Sequence, residues 1–149
     1  MQGRAIGLDV GTKTIGIALS DPLGITANPH STLKRQSVKK DCAKLAELCE
    51  QQKVEHLVVG LPLELDDTEA RPARLARQIG THLGELLGLT PTYIDERYSS
   101  VDAEELLLEM DLSRKRRKEV IDQMAAVLIL RSWLDHGDWS GIEAGPPKS

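Results

Sequence analysis

The segment AIGLDVGTKTIGIALSD, residues 5–21, opens on an apolar run broken by one acid, Asp9, which is followed by Gly11-Thr12-Lys13-Thr14 and a second apolar run that ends at Asp21. A carboxylate inside an apolar strand costs free energy unless something cationic faces it. Strand alternation puts Asp9 on one face with Ala5 and Gly7, and Ile6, Leu8 and Val10 on the other. Small side chains beside the carboxylate leave room for a ligand. Two further acidic positions stand in comparable places. Asp95-Glu96, in YIDERYSS, closes a predicted strand, and open α/β sheets bind ligands beyond the carboxyl ends of their strands. Asp122, in KEVIDQMAAVLILRSWL, interrupts an apolar helix on the face of Ala125, Ala126, Ile129 and Trp133, where an aspartate is a poor helix former and is rarely buried alone.

Each acid also has an ordinary structural role open to it. Asp9 can accept hydrogen bonds from the Thr12 region, Glu96 can pair with Arg97, and Asp122 with Lys118 one turn earlier. Taken together, acids on three separate elements are explained more economically if they converge on hard divalent cations, Mg²⁺ or Mn²⁺, which prefer oxygen ligands. The histidines at 30, 56, 82 and 136 have no zinc-type spacing. Carboxylates holding two such ions about 3.5–4 Å apart are the apparatus of many nucleases: one ion activates a water for in-line attack on phosphorus, the other stabilises the departing oxygen.

The basic residues are placed to match. Residues 114–118 read Arg-Lys-Arg-Arg-Lys, in a chain of formal net charge −4. Such runs usually form a solvated face. At a helix amino terminus, however, they oppose the macrodipole, and a polyanion bound beside Asp122 gives the placement a reason. Lys13 and Arg97 adjoin two of the acidic positions, from which phosphate oxygens can be held. Thr12, Lys13, Arg97, Arg114, Arg116, Arg117 and Lys118 are therefore the expected nucleic-acid contacts. Arg71, Arg74 and Arg77 form a second basic band, expected on the side of their helix away from its apolar stripe.

The elements that must position these groups follow from periodicity. Residues 4–10 and 14–20 read as a hairpin around Gly11-Thr12-Lys13, and 25–33 as a third extended segment. Val38, Cys42, Leu45, Ala46 and Cys49 recur at helical spacing. His56–Gly60 is a short buried strand, and the following helix is expected to bury Leu75, Ile79, Leu83 and Leu86. Pro91–Asp95 makes a fifth strand, Ala103, Leu106, Leu107 and Met110 mark another helix, and a last helix covers 114–135. This order implies an α/β protein with a mixed sheet, its first three strands antiparallel, covered by helices. Residues 1–136 read as one domain and 137–149 as a flexible tail.

Composition narrows the classes. A chain of 149 residues with 40% apolar content builds one proper core. Phe is absent and Tyr plus Trp total four, which argues against a module that reads bases by aromatic stacking. Cys42 and Cys49, seven apart in a helical pattern, cannot pair with each other and read as buried thiols in a reducing compartment. No leader and no apolar run of about 18 residues is evident. A cytoplasmic protein with no membrane contact is expected.

With these residues assembled, the chain resembles the bacterial YqgF family, also called RuvX, whose members are described as pre-16S rRNA nucleases or Holliday junction resolvases. The resemblance is carried by GLDVGTKTIGIALSDPLG, VVGLPLELDDTE, DERYSSVDAEELL and IDQMAAVLIL. It implies a ribonuclease H-like fold, a five-stranded mixed sheet flanked by helices. It also implies Asp9, Glu96 and Asp122 as the catalytic, metal-ligating acids, choosing Glu96 over Asp95, which is left a supporting role. Glu64 and Asp67 stand in a loop where relatives often have Asn and Asp-Gly, and Gln123 where many have a small residue. The function expected is a metal-dependent endonuclease on structured RNA, the small-subunit ribosomal RNA precursor (pre-16S rRNA), with branched DNA as rival substrate. Asp9-Val10-Gly11-Thr12 is also similar to the first phosphate loop of the actin and sugar kinase superfamily, which needs two lobes where this chain supplies one. A catalytically silent binding module is the third class, against which the three acids speak. Monomer and homodimer are both open.

Overall fold

The computed structural model describes residues 3–62, 71–95 and 114–135, and for 114–122 the backbone alone. Strands β1 (Arg4–Val10) and β2 (Thr14–Ser20) form the expected antiparallel hairpin, with Asp9 opposite Gly16 and Leu8 opposite Ile17. The Gly11 N–H donates to the Thr14 carbonyl at 2.8 Å to close the turn. Strand β3 (Ala27–Lys34) continues the sheet beside β2. It begins at Ala27, not Ile25, because the Asp21 carboxylate gathers the N–H groups of Leu23, Ile25 and Thr26 into a tight loop and leaves Ile25 70% exposed.

Helix α1 (Val38–Gln51) starts where the Ser37 hydroxyl accepts the Lys40 N–H, an N-cap that satisfies one orphan donor. It leads to β4 (Val54–Leu61), which lies parallel to β1. Helix α2 (Arg71–Leu87) then leads to β5 (Thr92–Asp95), parallel to β4, and α3 spans Arg114–Asp135. The strand order is β3-β2-β1-β4-β5, which puts the strand carrying Asp9 at the centre of the sheet. Strand β4 is longer at both ends than the His56–Gly60 run predicts. The helix expected around Ala103–Met110, the loop carrying Glu64 and Asp67, and the tail lie outside the described residues.

The period-2 pattern divides the core in two. Ile6, Leu8, Val10, Ile15, Ile17, Leu19, Leu57 and Val59 face α1 and α2, meeting Cys42, Leu45, Cys49, Ala76, Ile79 and Leu83. The other face is built from Ala5, Ala18, Val58 and Ile94 against Ala126, Val127, Ile129, Leu130 and Trp133 of α3. Its small strand residues let the helix come close. A Cβ at Gly7 would stand 2.8 Å from Leu130 Cβ and 3.0 Å from the Ala126 carbonyl oxygen. The space beside Gly7 is thus filled by α3 itself. In α2 the buried stripe runs through Ala76, Ile79, Gly80, Leu83 and Gly84, so Leu86 falls off it and is 50% exposed, contrary to its expected burial. Among the described residues, no helix is long and apolar enough to cross a membrane.

Candidate functional site

Asp9 lies one residue before the carboxyl end of the central strand and is half-buried. Its partner across the ladder is Gly16, whose own partner on β3 is Thr32, so Asp9, Gly16 and Thr32 form one row across three strands. Helix α3 crosses above that row. The Gln123 side-chain amide donates to the Thr32 hydroxyl at 3.4 Å, and Ala126 and Leu130 sit over Gly7, two residues before Asp9 on the same face. Position 122 is adjacent to Gln123 and one helical turn before Ala126. The register of α3 therefore brings the backbone of Asp122 to the end of the sheet where Asp9 stands.

Strands β4 and β5 run parallel to β1, so their carboxyl ends reach the same edge, with Asp95 beside Leu61. Ile94 belongs to the α3-side core and Tyr93 to the α1/α2 side, and alternation puts the buried Asp95 with Tyr93, on the face opposite Asp9. Glu96 and Arg97 lie outside the described residues. Arg114, Arg116, Arg117 and Lys118 form the opening turns of α3, a first turn that carries no acid. Thr12 and Lys13 are exposed in the β1–β2 turn, next to Asp9 in the chain.

The basic band of α2 is only partly as expected. Arg71 and Arg74 are exposed. The Arg77 guanidinium instead lies 4.8 Å from the centre of the Tyr93 ring, a cation–π contact that turns it toward β5. A Cβ at Gly80 would meet the Tyr93 hydroxyl at 2.6 Å, so this glycine makes room for the ring.

One ionic feature of the fold lies outside the sequence-based expectations. Asp41, in the first turn of α1, is fully buried and accepts from Arg35 Nε at 2.9 Å and from the Gln36 N–H at 3.0 Å. It sits at helical spacing between Val38 and Leu45, an acid in an apolar stripe. That signal singles out Asp122, and the same signal applied to α1 finds Asp41.

The charged groups are therefore treated unequally. Asp41 is neutralised by Arg35, whereas among the described residues no ion pair or hydrogen bond reaches the Asp9 carboxylate. A half-buried carboxylate with no cationic partner among the described residues fits a hard metal ion better than it fits a structural role. The described residues contain no group of three or more His, Cys, Asp or Glu poised for a metal. A set that includes Asp9 draws on groups beyond those described, among them the expected partners Glu96 and the Asp122 side chain.

Comparison with known proteins bears on this geometry. The profile of the family described as "RuvX: Holliday junction resolvase" matches residues 3–136. A protein of Myxococcus xanthus named "Putative pre-16S rRNA nuclease" is 50% identical over 132 residues, covering 89% of this chain and 87% of its own. One of the same name from Syntrophomonas wolfei is 51% identical over 134 residues, covering 90% and 95%. Among solved structures, Thermus thermophilus RuvC in complex with Holliday junction substrate matches with a TM-score of 0.62 at 15% identity, covering 91% of this chain and 96% of that one. Fowlpox virus resolvase matches with a TM-score of 0.58 at 8% identity, covering 89% and 97%. At those identities the likeness establishes the fold, the ribonuclease H-like sheet and helices.

Proposed function

Because this chain belongs to the RuvX family and is a phosphodiester-hydrolysing nuclease, we propose that it is a divalent-metal-dependent endonuclease whose acids are Asp9, Glu96 and Asp122, acting on the structured RNA of the pre-16S rRNA. The observation that carries this reading is Asp9 itself. It is half-buried at the centre of the sheet, unpaired among the described residues, with α3 passing over its row. Asp95 lies with Tyr93 on the opposite face, and Glu96, the next residue in the chain, is the acid assigned with Asp9. Mg²⁺ or Mn²⁺, when bound, activates water and neutralises charge developing on the phosphate.

The protein's own groups do the rest. Asp9 contributes oxygen ligands from a strand that cannot shift without disturbing both neighbours. Thr12 and Lys13 hold a phosphate from the adjoining turn, and Arg97, Arg114, Arg116, Arg117 and Lys118 hold others along the backbone. Water adds to phosphorus, the bond to the departing sugar oxygen breaks, and that oxygen takes up a proton. The free, buried thiols of Cys42 and Cys49 fit a reducing, cytoplasmic setting.

Branched DNA is the second reading, favoured by the resolvase description of the family and by the fold shared with junction-bound RuvC. Purified protein with Mg²⁺ or Mn²⁺, given a precursor-rRNA fragment and a four-way DNA junction side by side, separates the two. Asp9→Asn should lower cleavage by more than about a hundredfold, beyond the usual cost of losing an outer-shell partner, while leaving binding largely intact. Cleavage by Asp9→Asn at the wild-type rate would remove Asp9 from the site.

A further inference from the structure

The Arg35–Asp41 pair has no part in the chemistry above, yet its groups lead directly to the site. We infer that this buried ion pair is a positioning device that presets the Thr12–Lys13 turn to receive a phosphate of the nucleic acid. Both Asp41 oxygens are committed to the segment between β3 and α1: Oδ2 accepts from Arg35 Nε at 2.9 Å, Oδ1 from the Gln36 N–H at 3.0 Å. The Arg35 N–H in turn donates to the Lys13 carbonyl at 2.9 Å. An unbroken chain of directional bonds thus runs from the first turn of α1 to the β1–β2 turn.

Thr12 and Lys13 are exposed, so packing of their own side chains does not set their position. The turn is held by its backbone, through Gly11 to Thr14 at 2.8 Å and Lys13 to Arg35. A buried ion pair is a poor device for stability alone, because desolvation consumes most of the attraction and apolar residues of similar volume serve as well. What it provides is direction. With Asp41 fully buried and the Arg35 side chain 12% exposed, the segment has little freedom to drift, and the Lys13 carbonyl is held with it.

The inference rests on the reading of Lys13 as a phosphate contact, and its test is a thermodynamic cycle on the full-length protein. Binding of a four-way DNA junction is measured by fluorescence anisotropy in chelator, so that no cleavage occurs. Lys13→Ala, Asp41→Asn, Arg35→Lys and the two doubles containing Lys13→Ala are compared with wild type, each confirmed as folded by circular dichroism. Loss of one phosphate contact should weaken binding roughly fivefold to tenfold at 0.1 M salt and reduce the slope of log K against log salt by about 0.9. Asp41→Asn and Arg35→Lys should each reproduce both changes, although Arg35→Lys keeps the positive charge and loses only the Nε–H bond.

Adding Lys13→Ala to either variant should then cost less than about twofold, the non-additivity of residues acting as one unit. Full additivity overturns the inference, as does a Lys13→Ala protein that binds like wild type. Should Asp41→Asn not fold, the Arg35→Lys arm decides. None of these outcomes touches the assignment of Asp9, which is read from cleavage by Asp9→Asn.

Discussion

Asp21 and Asp9 are treated oppositely by the fold. Asp21 accepts from the backbone N–H groups of Thr26, Ile25 and Leu23 and from the Thr26 hydroxyl, at 2.6 to 3.2 Å. The Thr26 N–H contributes most to holding its carboxyl below the ordinary value, against an opposing effect of desolvation. A lowered carboxylate contributes stability that is present above its unfolded pKa and is lost as pH falls through the folded one. Asp21→Ala should therefore melt below wild type at neutral pH, and the gap in Tm should close as the buffer is taken below the normal carboxylate range. A gap independent of pH would mean that the loop, not the charge, is responsible. Asp9 was legible in the sequence because it alone breaks an apolar alternation. Asp41 was equally out of place but stands beside the lysines and acids of an amphipathic helix, where a charge draws no notice. Its partner Arg35 is six residues earlier, in a segment without periodicity.

At the level of elements, the hairpin, α1 and α3 could be read from their periods, since hydrophobic spacing of two or of three and four is imposed by the backbone itself. The start of β3 and the outward turn of Leu86 could not, because each depends on a neighbour distant in sequence or on which helical stripe contacts the sheet. The tight seat of α3 on β1 is half-visible in the sequence: alternation puts Ala5, Gly7 and Asp9 on one face, but does not reveal that the helix fills the space at Gly7. Gly7→Ala should therefore destabilise by about 1–3 kcal/mol through overpacking and lower Tm by several degrees, with activity falling as α3 lifts from the Asp9 row. Unchanged stability would place α3 farther from the sheet. Helix α1 offers a separate check. Burial, assisted by the charge of Asp41, pushes the Cys42 thiol up to about 11, with Arg35 opposing, and burial followed by Glu50 pushes Cys49 up to about 12. Both thiols should resist iodoacetamide at pH 8 in the native protein and react in denaturant, because the thiolate is the nucleophile. Rapid native labelling at either would contradict their placement.

The whole molecule carries a formal net charge of −4 and yet is a nuclease, so attraction to a polyanion must come from where its cations lie. The run at 114–118 opens the helix that crosses the Asp9–Gly16–Thr32 row, and Lys13 lies in the turn next to Asp9 in the chain. Substituting Ala at Arg116 and Arg117 should reduce the salt slope of binding by up to about two, while Ala at Lys39 and Lys44, on α1 across the sheet, should leave it unchanged. An equal effect from both pairs would mean diffuse attraction. The proposed function requires Asp9, Glu96 and Asp122, from three separate parts of the chain, to share one divalent-metal site. Titration calorimetry with Mn²⁺ on wild type and on Asp9→Asn, Glu96→Gln and Asp122→Asn reads that sharing. Saturable binding is expected in wild type, with a loss of about tenfold or more in affinity for each variant. Binding that survives unchanged in any one of the three would remove that acid from the site, and survival in all three would overturn the proposed metal site.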